Sequence, residues 1–171
     1  VGMAKLSYYP HPRWSITGIA IPEIRFSLDP VFGSDFFPAP TPLPPEATSS
    51  GFTEHPQWAA AMSGNFEGWD ISFHFADVYQ DAPHLEPVAA LPGAFRMQHA
   101  RVLLGGVGGD YAIGSWLAKA ELAVLDGVDF ATTGKKTRID AMLGLEYYGF
   151  VENTIALEIV RRLGHPLVST S

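Results

Sequence analysis

Apolar and polar residues alternate with a period of two along much of this chain, and no other feature restricts its fold as strongly. In the segment 138–148, for example, Ile139 and Leu143 alternate with Asp140 and Glu146. A helix would scatter both sets around its circumference, whereas a strand directs them to opposite faces. The alternation therefore predicts a β-strand with one apolar and one polar face.

The same alternation recurs along the chain and predicts about eight strands. The segment 118–125 is rich in good helix formers, but its neighbours favour a strand. Glycines weaken the pattern in 96–111. The predicted strands cover residues 3–9, 13–21, 56–66, 69–79, 96–111, 116–125, 138–148 and 154–162.

The connections between these strands alternate between short and long, apart from a medium one at 126–136. In an antiparallel meander, alternate connections lie at the same end, so one end carries tight turns and the other large loops. This asymmetry is typical of outer-membrane barrels. We therefore predict an all-β fold: an antiparallel up-and-down meander forming a transmembrane β-barrel or part of one. Residues 1–171 form a single partial barrel domain, with 23–56 and 80–95 as long external loops.

Composition and charge exclude several classes of protein. The chain is 47% hydrophobic, which argues against disorder, and it has no cysteine for disulfides or thiolate sites. Its net charge of −7 leaves no basic excess for nucleic acid. Between residues 23 and 95 there are ten acidic residues and one basic residue, so the charge belongs mainly to the long loops. The six histidines lack metal-site spacing, and no nucleophile elbow surrounds a serine. We expect no metal, no cofactor and no enzymatic activity.

The alternation also sorts the candidate functional residues into two sets. One set is polar and is predicted to line the lumen of the barrel, whereas the other is apolar or aromatic and is predicted to face lipid. The predicted lumen-lining residues are Asp70, His74, Arg101, Lys119, Glu121, Arg138, Asp140, Glu146 and Glu158. The predicted lipid-facing residues are Trp69, Trp116, Ile139, Leu143, Leu145, Ile155, Leu157 and Ile159.

The segment 138–158 resembles porin-like outer-membrane proteins of Gram-negative bacteria, a proteobacterial family of uncharacterised function. Segments 6–10, 19–26 and 51–85 are similar to the same family. The resemblance implies a bacterial outer-membrane location. Members of that family are several times longer than 171 residues, so we expect this chain to be an internal fragment.

These observations predict a porin-like barrel that allows small solutes to pass across the outer membrane, with outer-membrane lipid as its surroundings. One alternative is a soluble β-barrel or sandwich that binds an apolar ligand in its interior. A second is a structural or enzymatic outer-membrane barrel. The sequence alone does not assign the inside and the outside of the sheet.

Overall fold

The computed structural model describes residues 2–25, 30, 32–37, 40–48, 51–91, 93–130, 134–150 and 153–166. Within these residues the fold is all-β and contains no helix. The strands are β1 Ala4–His11, β2 Trp14–Ile21, β3 Gln57–Phe66, β4 Trp69–Tyr79, β5 His84–Pro87, β6 Phe95–Gln98, β7 Arg101–Ile113, β8 Trp116–Phe130, β9 Gly134–Phe150 and β10 Asn153–Pro166.

Eight of these strands form one antiparallel sheet in the order β1-β2-β3-β4-β7-β8-β9-β10. Each strand pairs with the next main strand along the chain, so the predicted meander of about eight strands is confirmed. Strands β5 and β6 form a separate two-stranded sheet. Among the described residues, β1 pairs only with β2 and β10 only with β9.

Tight turns lie at one end of the large sheet. Two-residue turns join β1 to β2, β3 to β4 and β7 to β8. Gly68 and Gly114 occupy two of these turns with φ of 78° and 60°, a conformation that glycine adopts without steric cost. The long connections 22–56 and 80–100 lie at the opposite end, which we call the loop end.

Three predicted boundaries were wrong. Segment 126–136 is mostly strand, because β8 runs to Phe130 and β9 begins at Gly134. The predicted loop 80–95 contains β5, whose four residues are too short to show a clear alternation. The predicted strand 96–111 is divided between β6 and β7. Residues 167–171 lie outside the described part of the chain.

The two long connections pack against each other at the loop end. Ala47 N donates to Met97 O over 2.8 Å, and Met97 N donates to Pro45 O over 2.9 Å. His99 N donates to Thr48 Oγ1 over 3.1 Å. These contacts join the first connection to the strand β6 of the second.

Buried apolar side chains are few, and they also lie at the loop end. Ile24, Ala100, Val102 and Val128 are the only apolar residues that are buried in the described part of the chain. None of its side chains is fully buried. The large sheet is therefore a single layer, most of which no other element of the described chain covers.

Candidate functional site

The strand register assigns each side chain of the large sheet to one of two faces, because directly paired residues of antiparallel strands point to the same side. One row runs from Asp70 through Asp110, Lys119 and Gly144 to Glu158. We call the side that contains this row the polar face. Eight of the nine predicted lumen-lining residues lie on it: Asp70, His74, Lys119, Glu121, Arg138, Asp140, Glu146 and Glu158.

The opposite side, which we call the apolar face, carries all eight predicted lipid-facing residues. They are Trp69, Trp116, Ile139, Leu143, Leu145, Ile155, Leu157 and Ile159. Several are largely exposed: Leu143 is 64% exposed and Ile159 is 63% exposed. An exposed apolar surface of this extent marks an interface with another molecule or with lipid.

Arg101 does not share the polar face with the other predicted lumen residues. It pairs with Tyr79, which lies an even number of residues from Trp69 in β4 and therefore on the apolar face. Its guanidinium binds Asp77 through Nε at 2.6 Å and lies over the ring of Tyr79, 5.7 Å from the centroid. The glycines of β7 occur on both of its faces, so the sequence did not reveal the parity of Arg101.

Aromatic side chains form a continuous row on the apolar face next to the tight turns. Trp14 packs edge-on against Phe66 with ring centroids 5.6 Å apart, and Phe66 stacks on Trp69 at 4.1 Å. Trp69 pairs with Tyr111 in β7. The row continues at Trp116 and Tyr147, whose centroids lie 4.6 Å apart.

This aromatic row is inclined to the line perpendicular to the strands. Trp14 pairs with Gly64, which lies opposite Ile71, two residues from Trp69 towards the loop end. Trp116 pairs with Ile113, two residues beyond Tyr111 towards the turns. Tyr147 in β9 pairs with Trp116 and so lies at the same level. From β2 to β9 the row therefore shifts by about 14 Å along the strands, while it crosses five strand spacings that total about 24 Å, which gives a slope of about 30°.

Polar residues border the apolar face towards the loop end. Asp77 and Asp126 both pair with Leu103, and Thr137 Oγ1 donates to Asp126 Oδ1 over 2.8 Å. Arg101 extends this border in β7. Arg161 in β10 lies on the same face but nearer the turns, because it pairs with Ala141 in the row that contains Phe73. Trp58, which pairs with Asp77, and Tyr79 lie beside it. The apolar residues between the aromatic row and the border form what we call the apolar band.

The polar face carries ion pairs and hydrogen bonds between strands. Lys119 Nζ lies 2.5 Å from Glu146 Oε1, and the Tyr148 hydroxyl donates to the other oxygen of the same carboxylate. Asp70 and Asp110 are directly opposed in β4 and β7. These groups occupy the half of the polar face that is nearer the tight turns.

A second group of charges lies nearer the loop end. Asp140 contacts Arg138 at 3.1 Å and Arg162 at 3.0 Å. His74 is hydrogen-bonded to Ser72 over 3.0 Å. The polar face therefore presents both signs of charge, with carboxylates grouped towards the turns and guanidinium groups towards the loops.

A shallow depression of about 810 Å³ lies at the sheet centre. On the apolar face its floor consists of the small residues Gly109, Ala118 and Ala120, and Trp69 and Leu143 stand beside it. It is open and apolar, and it is the feature that most favours an apolar ligand.

The sequence patterns did not single out the border residues Asp77, Asp126 and Thr137, nor Asp110 and Arg162 on the polar face. The sequence does contain a signal for two of them, because Asp77 and Asp126 are acidic residues at positions of the alternation that are otherwise apolar, near the ends of strands. Asp110 stands at the end of a glycine-rich run that hid its parity. Only the register between strands joins them into a border and a charged row.

Among the described residues, no group of three histidine, aspartate or glutamate side chains is arranged to hold a metal ion. The described segments also contain no helix that is long and apolar enough to cross a membrane. Comparisons with protein-family models, with curated proteins and with solved structures find no match for this chain. The predicted resemblance to porin-like proteins therefore stays a prediction.

Proposed function

We propose that this chain forms part of a membrane-spanning β-barrel of the bacterial outer membrane, and that small solutes pass through its lumen. In this arrangement the apolar face contacts lipid and the polar face lines the lumen. Lipid surrounds the protein, and small polar solutes are its transported partners.

The apolar band is the observation that carries this proposal. Between the aromatic row and the polar border it extends over eight to ten residues, from Trp69 to Asp77 in β4 and from Trp116 to Asp126 in β8. At about 3.4 Å per residue and a tilt of 35–45°, these lengths give a height of about 20–28 Å, and outer-membrane barrels have apolar bands about 25 Å tall. The slope of the aromatic row supports tilted strands of the same kind.

The polar face supports a lumen for solutes. Its charged side chains are distributed over β4, β7, β8, β9 and β10, and both signs are present. Side chains of this kind favour a water-filled passage, because a charge that faces lipid is costly near the middle of the bilayer. Porin-like passage follows if the sheet closes around this face.

Single-cysteine labelling tests which face meets lipid. The chain contains no cysteine, so each introduced thiol reports without background. Cysteines at positions 139–146 of the protein reconstituted in vesicles should react with a water-soluble maleimide at even positions and with a bilayer-soluble one at odd positions. Uniform reaction with the water-soluble reagent would contradict membrane insertion.

A swelling assay tests passage itself. Vesicles that contain the protein should swell in an isotonic solution of a small sugar faster than empty vesicles. If the labelling alternates between the two reagents but the vesicles do not swell, a structural role as an outer-membrane barrel explains the results better than solute passage.

The soluble alternative places the apolar face inside, where the depression beside Trp69 and Leu143 would hold an apolar ligand. It predicts a monomer that stays in solution without detergent. Cysteines at even positions of 139–146 should then react with the water-soluble maleimide, and those at odd positions should be shielded in the interior. The membrane proposal predicts aggregation under the same conditions.

A further inference from the structure

The contact between the two long connections at the loop end contains a buried histidine. His99 follows β6, and its side chain is only 2% exposed. Its backbone N donates to Thr48 Oγ1 of the first connection over 3.1 Å. The imidazole ring therefore lies between the two connections, shielded from water, where its polar atoms depend on protein partners.

Both ring nitrogens of His99 face atoms that accept hydrogen bonds. Nδ1 lies 2.7 Å from the carbonyl oxygen of Gln80, the first residue after β4. Nε2 lies 3.2 Å from Oε2 of Glu46 in the first connection. A carbonyl oxygen cannot donate, so Nδ1 carries a hydrogen and donates it. A neutral imidazole has only one N–H group, so a hydrogen bond between Nε2 and Glu46 requires a further proton on this pair.

Glu46 is held beside the ring by contacts that do not depend on the proton. Its other carboxylate oxygen, Oε1, accepts from Thr48 N over 2.9 Å. Glu46 also pairs with Met97 of β6 in an isolated β-bridge. When the further proton is absent, the lone pair of Nε2 faces a carboxylate oxygen and the contact becomes repulsive.

Other titratable groups lie around the cavity next to His99, and they face one another. Lys135, for example, is opposite Asp129 in the register of β8 and β9. Glu46, by contrast, contacts the His99 ring directly. The other pairs are Arg101 with Asp77 at 2.6 Å, Arg96 with Glu86 at 2.6 Å, His84 with Asp129 at 3.6 Å, and Tyr79 with His55 at 3.1 Å.

We infer that His99 and Glu46 form a pH-sensitive latch between the two long connections. Histidine is the side chain whose charge ordinarily changes between about pH 5 and pH 8. The latch is closed at the acidic end of this range, where Nε2 donates to Glu46. It weakens as the pH rises and Nε2 loses its proton. The latch controls the arrangement of the connections at the loop end, and it does not depend on which face of the sheet meets lipid.

Hydrogen exchange of the refolded protein tests the latch. The amides of Ala47 and Met97 are suitable reporters, because they donate to Met97 O and Pro45 O across the same contact. Their protection factors, which compare exchange with that of an unstructured chain at the same pH, measure how often the contact opens. We expect these factors to fall by about tenfold from about pH 5 to about pH 8, because one charge-assisted hydrogen bond is lost. The amides of β9 should keep their protection.

Glu46→Gln distinguishes a latch from a purely structural contact. Its amide nitrogen would donate to the unprotonated Nε2 of His99, while Oε1 would still accept from Thr48 N. This variant should therefore keep the protection of Ala47 and Met97 at the alkaline end of the range, where the unmodified protein loses it. His99→Phe removes both ring contacts and should give low protection at either pH.

His84→Gln is the matched control, because it replaces another histidine of the same cavity, which contacts Asp129 instead. It should leave the pH dependence at Ala47 and Met97 unchanged. Equal protection of the unmodified protein at the two pH values would overturn the latch. Loss of the pH dependence in His84→Gln, or loss of protection by Glu46→Gln at alkaline pH, would do the same. A parallel fall in β9 would show general loosening of the protein and would also overturn it.

Discussion

Gly109 shows how closely β7 approaches β4. A Cβ atom at this position would lie 2.5 Å from the carbonyl oxygen of Asp70, which is backbone and cannot move aside cheaply. We expect Gly109→Ala to destabilise the folded protein by about 1–3 kcal/mol, the usual cost of overpacking. Urea titration of the detergent-refolded protein measures the change in the free energy of unfolding.

Gly105 provides the control for this prediction. It lies in the same strand and on the same face, but a Cβ atom there would meet nothing within 4 Å. Gly105→Ala should be neutral or should stabilise the protein by up to about 1 kcal/mol, because glycine is unfavourable inside a strand. Equal destabilisation by the two variants would show that close strand approach is not the cause.

The same glycines explain why face assignment from sequence failed at one residue. In β8 and β9 every second residue is apolar over a long run, so parity could be read for Lys119, Asp140 and their neighbours. In β7 glycine stands at 105, 106, 108 and 109, and a residue without a side chain carries no parity signal. The face of Arg101 depends on its pairing with Tyr79, which is a contact between strands that the local sequence does not encode.

Strand β9 allows the membrane orientation to be tested with two adjacent residues. Leu143 lies within the apolar band, whereas Met142 points to the polar face opposite Glu121. We expect Leu143→Arg to reduce the free energy of folding into a bilayer by about 2–4 kcal/mol, because arginine near the bilayer midplane carries that cost. Urea-dependent folding into phosphatidylcholine vesicles measures it.

Met142→Arg is the matched variant, because it adds the same side chain one residue away. Its guanidinium would lie beside Glu121 in a polar surrounding, so we expect a change within about 0.5 kcal/mol. If Met142→Arg is the more disruptive of the two, the polar face rather than the apolar face is shielded from water, which contradicts the proposed orientation.

Long strands with one apolar face could be predicted from the sequence, whereas strand ends and short strands could not. A strand with one apolar face records its own period, as 138–148 does, whereas 118–125 was assigned to a strand from its neighbours because its own residues also favour a helix. The ends of β8 and β9 were missed because they extend past the apolar band, where neither face needs to be apolar. The short strands β5 and β6 depend on pairing with each other, and four residues hold too little pattern to show it.

At the scale of the whole molecule, the ion preference of the proposed passage depends on where the charges lie rather than on the net charge of −7. The turn-side half of the polar face groups five carboxylates around the single ammonium of Lys119; they are Asp70, Asp110, Glu121, Glu146 and Glu158. Acidic residues also predominate between positions 23 and 95, which include the long connections. Both features concentrate cations at the mouth and within the proposed passage.

We therefore expect the protein in planar bilayers to conduct cations in preference to anions, as measured by the reversal potential in a salt gradient. Neutralising the opposed pair with Asp70→Asn and Asp110→Asn should lower the ratio of cation to anion permeability by about two- to fivefold, since a unit charge at 4 Å in water contributes about 1 kcal/mol. The control is the double variant Asp77→Asn, Asp126→Asn, because both residues belong to the border on the opposite face and their replacement removes the same formal charge. Anion preference in the unmodified protein, or an equal effect of the control variant, would show that the polar face does not line the conducting path.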